Sequence, residues 1–297
     1  MQNLIIYHLV SGQAWFSSGI LFLAIIALDL RGCFERRAIL RRFVRAALFL
    51  LMVFAALSGT PLPLWIAIPL VCLALAYAVA GFSNPAIKWR RRTGGGLIPL
   101  ILIALAMELP WHFNTQFNGA RPRTLCIFAD SITAGMGGEK YTYPQKLASL
   151  SQMEIRDYSM AGATTESAVR QQLPRFLKEN NSSALILIEI GGNDMVAGTN
   201  GDVFRENLER LFAACRPDAA SSNTFVMFEL PVLPGYWSYA SAQRDVAAKY
   251  NAALIPKRVL AGLLLAEGNT IDGIHLLPQG HDRMAEILQA WLASHRR

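Results

Sequence analysis

The chain has 297 residues, 53% hydrophobic and only 16% charged, a balance too apolar for an ordinary soluble protein of two-domain length. Its net charge of +7 invites a nucleic-acid partner, but residues 1–111 hold ten Lys and Arg against three acids, so 28 less 10 and 21 less 3 leave 18 of each sign in the remainder. A neutral second part leaves no basic face over to neutralise phosphates, so a nucleic-acid role loses its main support and no such partner is expected.

Four apolar segments are predicted in the first part, at 9–30, 43–59, 62–82 and 94–111. A membrane-spanning helix needs about 20 mostly apolar residues; the first and third qualify easily, and the second and fourth are short, with an in-plane helix pair as the alternative for them. Gly59-Thr60-Pro61-Leu62-Pro63 reads as a tight turn between segments two and three. All ten basic residues (Arg31, Arg36, Arg37, Arg41, Arg42, Arg45, Lys88, Arg90, Arg91, Arg92) are assigned to the loops after segments one and three. Short loops rich in Lys and Arg stay on the cytoplasmic side. The expectation is an integral protein of the bacterial inner membrane, with its N-terminus outside and everything beyond residue 111 extracytoplasmic or periplasmic. Segment one lacks a basic leader and a small-residue cleavage site, which argues against a removed signal peptide. Glu108, beside Pro110 and Trp111, is expected at the membrane interface.

The expected domains are a transmembrane helical region at 1–111, a linker at 112–123 and a globular domain at 124–297. Fully extended at about 3.3 Å per residue, the linker reaches no more than about 40 Å.

Beyond the linker, strands are predicted at 124–128, 155–158, 184–190 and 225–230, alternating with helices at 142–151, 164–178, 202–215 and 278–294. That alternation implies an α/β fold with a parallel sheet covered on both faces, whose ligands bind beyond the carboxyl ends of the strands. Ser131 follows the first strand, Gly162 the second and Gly191-Gly192-Asn193-Asp194 the third, while Asp272 and His275 precede the last helix.

A serine hydroxyl attacks an acyl carbon only when a base takes its proton, and the base works best when a third group fixes its tautomer. Ser131, His275 and Asp272 fit those three roles, and the three-residue spacing lets one loop deliver both base and carboxylate. The oxyanion needs donors of its own, for which the N–H groups of Ser131 and Gly162 and the side-chain amide of Asn193 are available. Singly each piece has a plainer explanation, as a helix cap or a turn residue. Together, at successive strand ends, they point to an ester-cleaving enzyme.

These blocks, Ile127-Phe128-Ala129-Asp130-Ser131-Ile132-Thr133-Ala134-Gly135, Gly162 in Ser159-Met160-Ala161-Gly162-Ala163-Thr164, Gly191-Gly192-Asn193-Asp194, and Asp272-Gly273-Ile274-His275, resemble those of the SGNH hydrolases, the GDSL-type esterases and lipases. The resemblance covers about 123–294 and is nearest in look to bacterial periplasmic thioesterase and lysophospholipase members. It implies a flavodoxin-like three-layer α/β/α sandwich, here preceded by about four transmembrane helices, and metal-independent hydrolysis of acyl esters. Ala129 stands where the family usually has Gly, which should alter the turn or pocket more than the mechanism. His275-Leu276-Leu277-Pro278 delays a proline that many members place directly after His, so a small loop shift is expected.

Other residues are read more plainly. His281 is expected at the surface, Glu189 and Glu229 as buried structural carboxylates, and Asp194 as the holder of its own turn. Cys33, Cys72, Cys126 and Cys215 lack metal-ligand spacing. No phosphate loop or dinucleotide fingerprint occurs, so no cofactor or metal is expected. Tyr236, Trp237 and Tyr239 form a candidate substrate loop for an acyl chain. The expected partners are a small-molecule or lipid ester (lipid, lysophospholipid or thioester) and the membrane. The alternatives are an acetylesterase or O-acyltransferase acting on cell-envelope sugars, and a catalytically silent membrane binding module.

Overall fold

The computed structural model describes residues 4–34, 38–82, 87–113, 123–136, 140–179, 183–216 and 222–294. The chain divides into two compact units, one built on residues 8–112 and the other on 113–232 and 236–297. Most of the expected linker, 114–122, lies outside the described residues, as do Arg36 and Arg37.

The helical part comprises a short α1 (Leu4–Val10), not anticipated from sequence, then α2 (Gln13–Leu30), α3 (Ala38–Ala56), α4 (Leu64–Phe82) and α5 (Ile87–Glu108). Helices α2 to α5 correspond to the four predicted segments, but α3 and α5 begin earlier. Arg41, Arg42 and Arg45 lie inside α3, and Lys88 to Arg92 inside α5, so the assignment of all basic residues to loops is corrected. Arginine is a good helix former, and hydropathy alone cannot see a helix extend through it. By length and composition, Gln13–Leu30 and Trp89–His112 could cross a membrane, while Leu64–Val79 is a shorter apolar helix. The fourth segment, expected to be short at 94–111, is lengthened at its start, where residues 87–93 are helical as well. A Cβ on Gly94 would lie 3.0 Å from the Tyr77 ring, so glycine there lets α5 approach α4.

A polar cluster within this unit draws one residue from each of α2 to α5. Asp29 Oδ2 accepts from Arg45 Nη2 at 2.7 Å and from Tyr77 Oη at 2.5 Å, and Asp29 Oδ1 lies 3.7 Å from Arg90 Nη1. Asp29 and Arg45 are fully buried. A buried charge persists only when paired, which explains why Arg45 is drawn inside. Glu108, expected at an interface, is buried as well. Large apolar side chains such as Ile39, Phe43, Leu64 and Trp65 face outward.

The second unit runs β1 (Thr124–Ala129), α6 (Ser131–Ala134), α7 (Tyr143–Ser151), β2 (Glu154–Asp157), α8 (Thr165–Ser167) continuing through a π-helical stretch at Ala168–Gln172 into α9 (Leu173–Lys178), β3 (Ala184–Glu189), α10 (Gly192–Val196), α11 (Gly201–Cys215), β4 (Thr224–Phe228), α12 (Trp237–Tyr250), β5 (Ala253–Ile255), α13 (Lys257–Leu264) and α14 (Pro278–Ser294). The five strands are all parallel in the order β2-β1-β3-β4-β5, the flavodoxin-type order. Side chains alternate across each strand: Leu125 and Ile127 join a core with Leu260, Leu263, Met284, Leu288 and Trp291, while Phe128 packs on Tyr158 and Phe176, and Phe225 on Phe212. Both faces are therefore covered, as expected.

Besides the short α6 and α10, three elements escape a sequence reading. The buried face of α12 is made of Ala240, Ala242, Gln243, Arg244, Val246 and Ala247, which leaves no strong apolar periodicity, β5 has only three residues, and α13 follows it directly.

Candidate active site

The sheet order reverses between β1 and β3, and that reversal opens a crevice at their carboxyl ends. Ser131 opens α6 immediately after β1, and Asn193 lies in α10 immediately after β3. Two backbone features hold the turns. Gly191 has φ +125°, and a Cβ there would sit 2.7 Å from Leu230 Cδ1 and 2.8 Å from Phe204 Cε2, so only glycine fits. Gly162, at φ +73° with open space around it, needs glycine for its backbone conformation alone.

Asp272 and His275 come from one loop. An antiparallel bridge pairs Thr270 with Leu276, Ile271 N–H donates to His275 O at 3.0 Å and Leu277 N–H to Asn269 O at 2.8 Å. Gly273 turns the tip at φ +91°. At the loop's base, a Cβ on Gly280 would fall 2.1 Å from Asn269 O, so the start of α14 packs directly on the loop's backbone.

Ser131 Oγ lies 3.1 Å from His275 Nε2, and His275 Nδ1 lies 2.6 Å from Asp272 Oδ2. Asp272 Oδ1 accepts from the N–H groups of His275 at 2.8 Å and Ile274 at 2.9 Å. The His275 N–H, the His275 ring and the Ile274 N–H together hold the Asp272 carboxyl well below the usual carboxylate range. Residues 144 positions apart in sequence are thus within hydrogen-bond reach.

Asn193 Nδ2 donates to Ala163 O at 3.0 Å and, at 3.4 Å, to Asp130 Oδ2. One amide therefore links the turn after Gly162 to the residue before Ser131. Ala129 is buried within β1, and its carbonyl accepts from Met160 N–H at 3.1 Å and Gln172 Nε2 at 2.9 Å. The π-helical turn at Ala168–Gln172 carries that glutamine, a placement with no signal in sequence.

Several expectations are corrected. His281 is buried, not at the surface, and its Nδ1 accepts from Tyr143 N–H at 3.2 Å. Asp194, expected to hold only its own turn, also reaches across to another element: it accepts from Thr165 N–H at 2.8 Å and Thr165 Oγ1 at 2.6 Å, fastening α8 to α10. Burial raises its pKa above the usual value. Tyr239 is only 3% exposed; its hydroxyl donates to the carbonyls of Asp194 and Thr199 and its ring packs on Phe204, so it supports the rim and is shielded from a substrate. Tyr236 and Trp237 are exposed.

Glu229 is buried and paired with Arg244 Nε at 2.7 Å. Glu189 is buried and accepts from Thr133 Oγ1 at 3.0 Å. Burial of Asp130 raises its pKa to about 6, against the Ile132 N–H bond that lowers it. Cys126 and Cys215 are unpaired with each other, and burial pushes the Cys126 thiol up to about 12, so neither is poised as a nucleophile. Met136, Val196, Ile271 and Ile274 are exposed and lie in the segments that carry the site residues.

The model of the GDSL-like lipase/acylhydrolase family matches residues 130–283. An arylesterase of Vibrio mimicus is 26% identical over 183 residues, covering 58% of this chain and 88% of that protein. Esterase TesA of Pseudomonas aeruginosa is 28% identical over 182 residues, covering 56% and 86%. A crystal structure of TesA superposes with a TM-score of 0.50 at 26% identity, covering 58% of this chain and 99% of that one. With the serine, histidine and carboxylate in one chain of contacts, a silent binding module is set aside: the chain belongs to the GDSL-like lipase/acylhydrolase family and is an ester-hydrolysing enzyme.

Proposed function

We propose that the chain is a membrane-anchored serine esterase that cleaves acyl esters of lipid, lysophospholipid or thioester type through an acyl-enzyme. The observation that carries the chemistry is the contact sequence Ser131 Oγ, His275 Nε2, His275 Nδ1, Asp272 Oδ2, with separations of 3.1 and 2.6 Å. Ser131 Oγ attacks the ester carbon while His275 Nε2 takes its proton, and Asp272 holds the imidazole in the tautomer that leaves Nε2 free to accept. The tetrahedral oxyanion is met by the N–H groups of Ser131 and Gly162 and by Asn193 Nδ2. Of the two amide contacts of Asn193, the 3.4 Å one to Asp130 is the weaker and is the one exchanged for substrate. His275 returns the proton to the leaving oxygen or sulfur. Water then attacks the acyl carbon by the same path in reverse.

A hydrophobic acyl group is favoured by the exposed Met136, Val196, Ile271 and Ile274, with Tyr236 and Trp237 as the substrate loop. Anchoring rests on Gln13–Leu30 and Trp89–His112, and on α3 and α4 completing a four-helix region at 1–111, joined through 112–123 to an esterase domain at 124–297. The excess of basic residues after segments one and three orients the N-terminus and the esterase domain outside the cytoplasm. Ser131→Ala and His275→Ala should each abolish hydrolysis of a short p-nitrophenyl ester, and Asn193→Ala should cost about 10²- to 10³-fold in kcat. Retained activity in Ser131→Ala would end this reading. Protease accessibility of the esterase domain in spheroplasts tests the sidedness.

A further inference from the structure

Beneath the nucleophile turn lie two neighbouring buried carboxyls. Glu189 is paired in register with Ala129 across β1 and β3, so its side chain reaches the start of α6 alongside Asp130. Its Oε2 takes the Thr133 hydroxyl at 3.0 Å, and Thr133 Oγ1 shares a 2.9 Å bond with the Tyr143 hydroxyl. Among the described residues, Glu189 Oε1 has no hydrogen-bond partner, although the residue is only 1% exposed. Among the described residues no ion pair reaches it. Asp130 is better served: Oδ1 accepts from Ile132 N–H at 3.0 Å, Oδ2 faces Asn193 Nδ2 at 3.4 Å, and the imidazole of His275 acts on it through space.

Two adjacent buried carboxyls cannot both hold a negative charge. Both accept donors, Glu189 from the Thr133 hydroxyl and the Asp130 N–H, but Glu189 is the more deeply buried and keeps an unpartnered Oε1, so the charge belongs on Asp130 and the proton on Glu189. Burial first, and the charge of Asp130 second, raise the Glu189 pKa well above its ordinary value. The other ionisable groups facing the pair are Asp194 from α10, Tyr143 from α7 and His275 from the loop before α14.

We propose that Glu189 is a positioning residue for ester cleavage: as a neutral carboxylic acid it clamps the Asp130–Thr133 turn that presents Ser131, and it leaves the single negative charge of the pair on Asp130, where it steadies Asn193 and His275. This rests on the roles assigned above to Ser131, Asn193 and His275. It also gives the Thr133–Tyr143 bond a purpose, since that bond ties the same turn to α7.

The test uses the full-length protein as wild type, Glu189→Ala and Glu189→Gln. Three readouts are taken: the rate of fluorophosphonate labelling, kcat and KM on a short p-nitrophenyl ester, and the infrared band of a protonated carboxylic acid. Loosening the turn in Glu189→Ala is expected to lower kcat and the labelling rate by about 10²-fold, with KM changed by less than about threefold. Glu189→Gln, neutral and of the same shape, should recover most of that loss while the infrared band disappears. The proposal is overturned if Gln is as damaging as Ala, if the band is unchanged in Glu189→Gln, or if Ala labels at the wild-type rate. Should the Ala variant fail to fold, the Gln kinetics and the band decide alone. Wild type that cannot be labelled at all would instead bring down the serine-esterase reading, and this proposal with it.

Discussion

Replacing Asp272 with Asn probes the orienting carboxylate, because the loop gives that side chain two competing tasks. Oδ1 accepts two backbone N–H groups, from Ile274 at 2.9 Å and His275 at 2.8 Å, while Oδ2 meets His275 Nδ1 at 2.6 Å. An amide has one acceptor oxygen. Keeping the two backbone bonds, worth about 1 kcal/mol each, outweighs keeping the single ring bond. The NH2 group then faces Nδ1, which must give up its proton, and the proton moves to Nε2, where it points at Ser131 Oγ and blocks base action. Forcing the productive tautomer costs about 1 kcal/mol, and the lost charge-assisted bond to the imidazolium adds about 1.5–3 kcal/mol. The lower end applies to that second cost, because the Asp272 side chain is 48% exposed and solvent screens it. A sum of about 2.5 kcal/mol corresponds to a loss of a little under about 10²-fold in kcat. Steady-state hydrolysis of p-nitrophenyl butyrate at pH 8 measures it, with Asp272→Ala alongside. Alanine leaves Nδ1 to water and frees the tautomer, so it should be no more damaging than Asn. Asp272→Asn within threefold of wild type would refute the orienting role.

Further expectations follow from the same geometry. Asp130 has a folded-state pKa of about 6, above its unfolded value of about 3.9, so its burial cost is fully present above pH 6 and vanishes below the unfolded value. Asp130→Asn should therefore raise the melting temperature at pH 8 by up to several degrees, from at most about 3 kcal/mol, with the gain gone at pH 4, while activity falls; calorimetry at the two pH values checks the sign. Gly280→Ala drives a Cβ to 2.1 Å from Asn269 O and should cost at least about 3 kcal/mol in urea unfolding, whereas Gly162→Ala, which meets no atom within 4 Å, should cost only the left-handed backbone penalty of about 1–2 kcal/mol. In detergent, Asp29→Asn should destabilise the helical unit by about 3–5 kcal/mol by leaving Arg45 unpaired, and adding Arg45→Met should restore much of the loss; thermal unfolding of the single and double variants measures both.

The layered fold and the Ser131, Asp272 and His275 constellation were legible in sequence because β1, β3 and β4 are short, largely apolar runs and the site residues sit where such strands end. The support beneath was not. Gln172 reaches Ala129 only because the helix relaxes into a π turn, and Thr165 meets Asp194 across 29 positions. Glu189 looks like any strand-end carboxylate until the register places it beside Ala129. His281 was misjudged because a polar residue in a helix's first turn usually faces water; here the Tyr143 N–H draws it inside. Arg45 misled for the same reason, its charge being matched by Asp29 from another helix.

The most direct measurement of the central claim is fluorophosphonate labelling of the purified full-length protein, followed by peptide mapping of the adduct. The account predicts one adduct per chain, on Ser131, formed much more slowly in His275→Ala and absent in Ser131→Ala. An adduct on another residue, or labelling of Ser131 that is indifferent to loss of His275, would contradict it.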